Sequence, residues 1–147
     1  MSYMTSVQIK ATDTEGLAKD FKEFAQAEYI AAGAKSASMR QVIMGGDSAG
    51  LVAVMTRWDT IDAAMRSHLV NSNPKIAESM ANNGVQIIAR SLIAVSSERG
   101  TPEGPYGSML AMSGQVAPPS EQEEMADHSW SLMSGNGVNG IRQGMIV

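Results

Sequence analysis

The chain has 147 residues, of which 44% are hydrophobic and 18% charged, and its 11 basic and 15 acidic side chains leave a formal net charge of −4. That is apolar material enough for a folded core and unlike a disordered chain. No block of Lys or Arg supplies the electrostatic footprint that nucleic acid requires, and the longest apolar run, "LVAVM" at 51–55, is too short to span a bilayer.

With no cysteine, the sequence offers neither a disulfide nor a thiolate nucleophile. Only His68 and His128 could serve a structural zinc, which needs more ligands than two, so no metal is expected. The N-terminus carries no charged, apolar and cleavable signal pattern. A cytoplasmic protein without a bound cofactor, with no nucleic acid and no membrane as partners, is the expectation. The 12 methionines are flexible fillers of irregular core gaps or of an adaptable binding surface.

In chain order, "MTSVQIKA" (4–11) alternates as a strand with Val7 and Ile9 on one face. Asp13 or Thr14 then caps a helix, and Glu15 suits its first turn. Residues 17–32 place Leu17, Phe21, Phe24, Ala25, Ala31 and Ala32 on one side at helical spacing, and Gly33 stops the helix. "SASMRQVIM" (36–44) and "LVAVMTRW" (51–58) flank the turn "GGDSAG" and form a hairpin. That glycine-rich turn joins two strands rather than a strand and a helix, so it is not a phosphate loop. Asp59 or Thr60 caps a second helix with Ile61, Met65 and Leu69 inward, which Asn73-Pro74 breaks or restarts. "VQIIARSLIAV" (85–95) is a fourth strand.

The order β-α-β-β-α-β is that of an α+β, ferredoxin-like module, an antiparallel sheet with both helices on one face. It occupies residues 1–98. A linker rich in Gly, Pro and Ser follows at 99–107. Residues 108–147 then read as a strand at 108–117, a helix capped by Ser120 with Glu123 completing a capping box, a stop at Gly135, and a last strand. Laid over the first half at an offset of 102, Gly33 meets Gly135 and Arg40-Gln41 meets Arg142-Gln143. The pattern is that of one whole module followed by the opening β-α-β of a second. Cut after its second strand, such a half-module would leave sheet edges and apolar surface for another chain to cover, so a homodimer or higher homo-oligomer is expected.

Residues 57–78 read "RWDTIDAAMRSHLVNSNPKIAE": a strand ending in Trp58, a helix, and a histidine ten residues on. This resembles the dimeric α/β-barrel families, above all the antibiotic-biosynthesis-monooxygenase-like domains. The likeness covers residues 3–98 and is carried by Trp58, Asp59, Ala63, His68 and Leu69. It implies a barrel of two facing sheets and a cavity between sheet and helices. In several members that cavity binds small aromatic or polyketide-like molecules or haem. Some members oxidise substrates with O2 and no bound cofactor. The haem-degrading pattern is not matched: Glu78 stands about where those enzymes use His, and Ser6, Val7 and Gln8 stand where they use Asn.

Five residues are candidates for chemistry. Glu28 falls within the apolar stripe of its helix, where a carboxylate is desolvated and suited to proton transfer, unless the helix end carries it into water. His68 borders the apolar face of the second helix, as an acid/base or a hydrogen-bonded interface residue. Tyr29 and Trp58 offer a phenol and a platform to a cavity, or simply pack. Arg40, mid-strand, needs an anion or acceptors: Glu28, a substrate oxygen or a facing module. The reading is an oligomeric small-molecule-binding or scaffold protein; the alternative is a cofactor-independent monooxygenase-like enzyme acting on a small aromatic or enolisable substrate.

Overall fold

A computed structural model describes residues 1–147. The chain forms β1 (Ser2–Lys10), α1 (Thr14–Asp20), a π-helical turn (Phe21–Ala25), α2 (Gln26–Ala31), β2 (Ser36–Gln41) and β3 (Val52–Trp58). Then come α3 (Ile61–Arg66), a 3-10 segment (Ser67–Ser72), α4 (Pro74–Asn82), β4 (Gln86–Gly100), α5 (Pro119–Met133) and β5 (Gly140–Ile146). The antiparallel sheet has the order β2-β3-β1-β4-β5. Its first four strands and their helices have the expected ferredoxin-like, α+β arrangement. By internal contacts the chain divides into two compact units, Met1–Ala94 with Ile146–Val147, and Val95–Met145.

In the first unit the pleat decides what is buried. β1 pairs with β3 as Thr5↔Thr56, Val7↔Val54 and Ile9↔Val52, while β2 adds Met39↔Val54. Alternation puts these side chains on one face. There Ile9, Leu17 and Val52 form one cluster, with Val7, Met39 and Val54 against it. A second cluster joins Trp58, Ala34 and Ala64, flanked by Tyr3, Tyr29, Ala63 and Leu92.

The helix ends follow local chemistry. The Asp13 carboxylate accepts from the Gly16 amide at 2.8 Å, and the Thr60 hydroxyl accepts from the Ala63 amide at 3.2 Å. Asn73 caps the restart at Pro74, its Oδ1 accepting from the Lys75 amide at 3.0 Å. Gly33, at φ +104°, ends the first helical run in a left-handed conformation that glycine adopts without strain. The β2 strand stops at Gln41, three residues before the expected end, and Ile43 and Met44 are exposed.

The second unit departs from expectation at several points. Residues 108–117 form no strand. Met109, Leu110 and Met112 are 64%, 81% and 82% exposed, and an apolar run without a ladder partner gains nothing from extension. The strand preceding α5 is instead the end of β4, which lies antiparallel to β5. The Thr101 amide donates to the Asn139 carbonyl at 2.9 Å, and Arg142 Nε donates to Glu98 Oε2 at 2.7 Å. Helix α5 begins at Pro119 without a side-chain cap. Glu123 does not close a capping box but meets Arg99, which also pairs with Asp127 at 2.8 Å. The left-handed glycine is Gly137 at φ +82°, not Gly135. Gly137, rather than Gly135, is thus the glycine after the second helical run that shares the left-handed conformation of Gly33.

A buried polar cluster ties the end of α4 to both ends of α1. Asn83 and Ser79 are 5% and 6% exposed. Asn83 Nδ2 donates to Asp20 Oδ2 at 3.1 Å and to the Ser79 carbonyl at 2.8 Å. The Asn83 carbonyl accepts from the Thr12 amide at 2.9 Å. Asn83→Ala removes the donor, while Asp20 Oδ2 keeps the Ser79 hydroxyl and the Ser79 carbonyl keeps the residue-83 backbone amide. It should lower unfolding free energy by about 1–2 kcal/mol in urea titration, the net worth of the lost hydrogen bonds; an unchanged midpoint would show the cluster to be dispensable.

Candidate functional site

The site grows from the end of β3. Alternation turns Trp58 toward the helices, where it is 1% exposed. A buried indole N–H needs an acceptor, and Trp58 Nε1 donates to Thr56 Oγ1 at 2.8 Å. That hydroxyl also shares a hydrogen with Thr5 Oγ1 across the β1–β3 ladder at 2.5 Å.

The first helix supplies Tyr29. A regular helix would bury Glu28 with Leu17, Phe21 and Phe24, but the π turn at Phe21–Ala25 adds a residue to one turn and rotates the residues after it. Ala25 is buried, Tyr29 packs against the Trp58 cluster, and Glu28 is exposed. The expectation of a carboxylate inside the apolar stripe is therefore corrected. The Tyr29 hydroxyl donates to Asn71 Oδ1 at 3.0 Å. Burial raises the Tyr29 pKa above its ordinary 10.0, and the nearby Arg90 charge opposes that shift.

Between α3 and α4, the 3-10 segment Ser67–Ser72 presents residues to two clefts. The larger, about 580 Å³, is lined by Glu28, Trp58, Ala63, Arg66, Leu69 and Asn73 among others. The smaller, about 20 Å³, is lined by Thr5, Tyr29, Thr56, His68, Asn71 and Arg90 with Ser67 and two valines. His68 Nδ1 lies 2.9 Å from the Met65 carbonyl. A carbonyl only accepts, so the neutral ring carries its proton on Nδ1 and leaves Nε2 as the basic nitrogen.

Glu28 and Trp58 thus share the larger cleft, and His68 and Tyr29 share the smaller. Arg40 lines neither. Its neighbour Met39 packs on the helix-side core, so alternation places Arg40 on the opposite sheet face, half-buried, and it does not meet Glu28. Arg66, Asn71 and Arg90 are cleft residues that sequence reading missed. Arg90 left one signal, a charge inside the apolar run 85–95; the Tyr29–Asn71 bond, closing across 42 residues, left none. No group of three His, Asp or Glu side chains comes together to hold a metal ion. No helix is long and apolar enough to cross a membrane.

No family model matches the sequence, and no curated protein matches it. Among solved structures it is similar to a structural-genomics protein, YJCS, at 9% identity and TM-score 0.45, covering 63% of this chain and 96% of that one. It is also similar to two provisionally assigned antibiotic biosynthesis monooxygenases. That from Deinococcus radiodurans is 13% identical with TM-score 0.40, covering 78% of this chain and 100% of that one. That from Chloroflexus aurantiacus is 14% identical with TM-score 0.34, covering 73% and 98%. At these identities the likeness is one of fold alone.

A raised Tyr29 pKa means that the folded state holds the phenolic proton more tightly than the unfolded state. Its contribution to stability is complete below pH 10.0 and is lost as pH rises through the folded-state value. Urea midpoints measured from below to above that pH should fall in the wild type, and fall less in Tyr29→Phe. Parallel curves would contradict the assignment.

Proposed function

We propose that this protein binds a small, largely apolar or aromatic molecule with a polar end, and does so as a homo-oligomer. The observation that carries this is the larger cleft. Its volume, about 580 Å³, falls within the range of small-molecule sites. Trp58, Ala63 and Leu69 give it apolar walls, while Glu28, Arg66 and Asn73 supply polar groups that could orient a ligand.

The test uses Trp58 as its own reporter in a Trp130→Phe background. Titration with 2-naphthol should change Trp58 fluorescence saturably and raise Tm. Ala63→Phe fills the cleft and should weaken binding about tenfold or more, as the loss of one well-packed contact does. A response that survives in Ala63→Phe, or no response at all, defeats the proposal.

A second reading, a monooxygenase-like enzyme without a bound cofactor, draws support from the smaller cleft. There His68, with Nε2 as its base, shares a wall with Arg90. His68 would take the proton of a phenol or enol, Arg90 would steady the resulting oxyanion, and dioxygen, as co-substrate, would accept electrons from that anion. An oxygen electrode run alongside the 2-naphthol titration would register steady consumption only under this reading.

Assembly draws support from Arg40, half-buried with no ion-pair partner in its own chain. A facing copy would bring it acceptors. Light scattering coupled to size exclusion should give a dimer or larger species, and Arg40→Glu should shift it toward the monomer. A wild-type monomer at high concentration would exclude this assembly.

A further inference from the structure

We infer that the smaller cleft is an oxyanion subsite, shaped to take one oxygen of a carboxylate or phenolate. Its wall is rich in donor hydrogens and holds a guanidinium but no carboxylate. Thr5 and Thr56 own one hydroxyl hydrogen each, and one of the two is spent on the bond between them. The Trp58 N–H enters this pair at Thr56 and occupies an acceptor position there. Neither threonine makes another side-chain hydrogen bond. Whichever way the shared bond runs, one hydroxyl hydrogen is left without an acceptor. If Thr5 donates, that hydrogen is on Thr56, which is 2% exposed; if Thr56 donates, it is on the half-buried Thr5.

The remaining lining has the same bias. Asn71 has given its oxygen to Tyr29, so its NH2 group is what it can still offer. The Tyr29 hydrogen is committed to that bond, which makes Tyr29 a positioning residue for Asn71. Ser67 adds a hydroxyl, and Arg90 adds a fixed positive charge with several N–H donors. No Asp or Glu lines the cleft. In the neutral ring His68 Nε2 is an acceptor in this wall, but with no carboxylate facing the guanidinium the complement of the site is an anionic oxygen. Its free space, about 20 Å³, fits one atom of that size. The ligand therefore inserts a single oxygen and keeps its body outside. This subsite is independent of the larger cleft, from which the segment Ser67–Ser72 separates it.

The probe is benzoate, with benzyl alcohol as a neutral match of similar shape, titrated into the 15N-labelled protein. Benzoate should move the amide signals of Ser67, His68 and Asn71 saturably, and benzyl alcohol should not. Arg90 is exposed, so Arg90→Gln should keep its Tm while benzoate affinity falls about tenfold or more, the usual loss for a charge-assisted hydrogen bond. Thr56→Ser keeps the hydroxyl and should keep the binding. Equal responses to benzoate and benzyl alcohol would overturn the inference, as would no response or an unchanged affinity in Arg90→Gln. Benzoate should bind Ala63→Phe, which fills only the larger cleft, as it binds the wild type, so a failure at either cleft is read separately.

Discussion

Everything in the first unit turns on the placement of one indole. Trp58 is almost wholly buried, and burial of its ring is a large apolar gain only if the N–H finds an acceptor. Thr56, two residues back on the same strand face, is that acceptor. The requirement propagates outward. It fixes the Thr56 hydroxyl, and through it the Thr5 hydroxyl on the neighbouring strand. It sets the wall of the larger cleft and leaves a donor in the smaller one. A packing need in the core and a polar bias in a cavity are thus two sides of one bond.

The clefts differ in chemistry because one short segment divides them. Ser67–Ser72 is wound as a 3-10 helix, with three residues per turn instead of 3.6. Leu69, Val70 and Asn73 line the larger cleft, whereas Ser67, His68 and Asn71 line the smaller. At that winding His68 and Asn71, one turn apart, fall on the same side, so the imidazole and the amide share the smaller cleft. The Tyr29–Asn71 bond pins the segment to the first helix.

Much of the fold was legible because its signals are local. Alternation at Val7 and Ile9, the caps at Asp13 and Thr60, the restart at Asn73-Pro74 and the stop at Gly33 all depend on a few neighbouring residues. The run at 108–117 shows the limit: its composition suits a strand, but a strand exists only where a partner edge is offered. The candidate site was less legible. Trp58 and His68 stood out by type, yet which cleft each lines depends on helix winding. Glu28 was misplaced since nothing in "FKEFA" announces a π turn, and a regular helix was the natural assumption. Arg40 could be put on a strand but not on a face until the register with β3 was known. Arg90 and Asn71 acquire meaning only from residues far away in sequence.

The wide turn at Phe21–Ala25 acts as a one-residue phase change in the first helix. Regular winding of the same residues would swing those downstream by about 100°. Glu28 would turn inward, Tyr29 would turn out to solvent, and the tether on the 3-10 segment would vanish. A one-residue deletion there would instead remove the extra residue and leave Tyr29 on its present face. The winding of this stretch, more than its composition, is what the two cavities inherit.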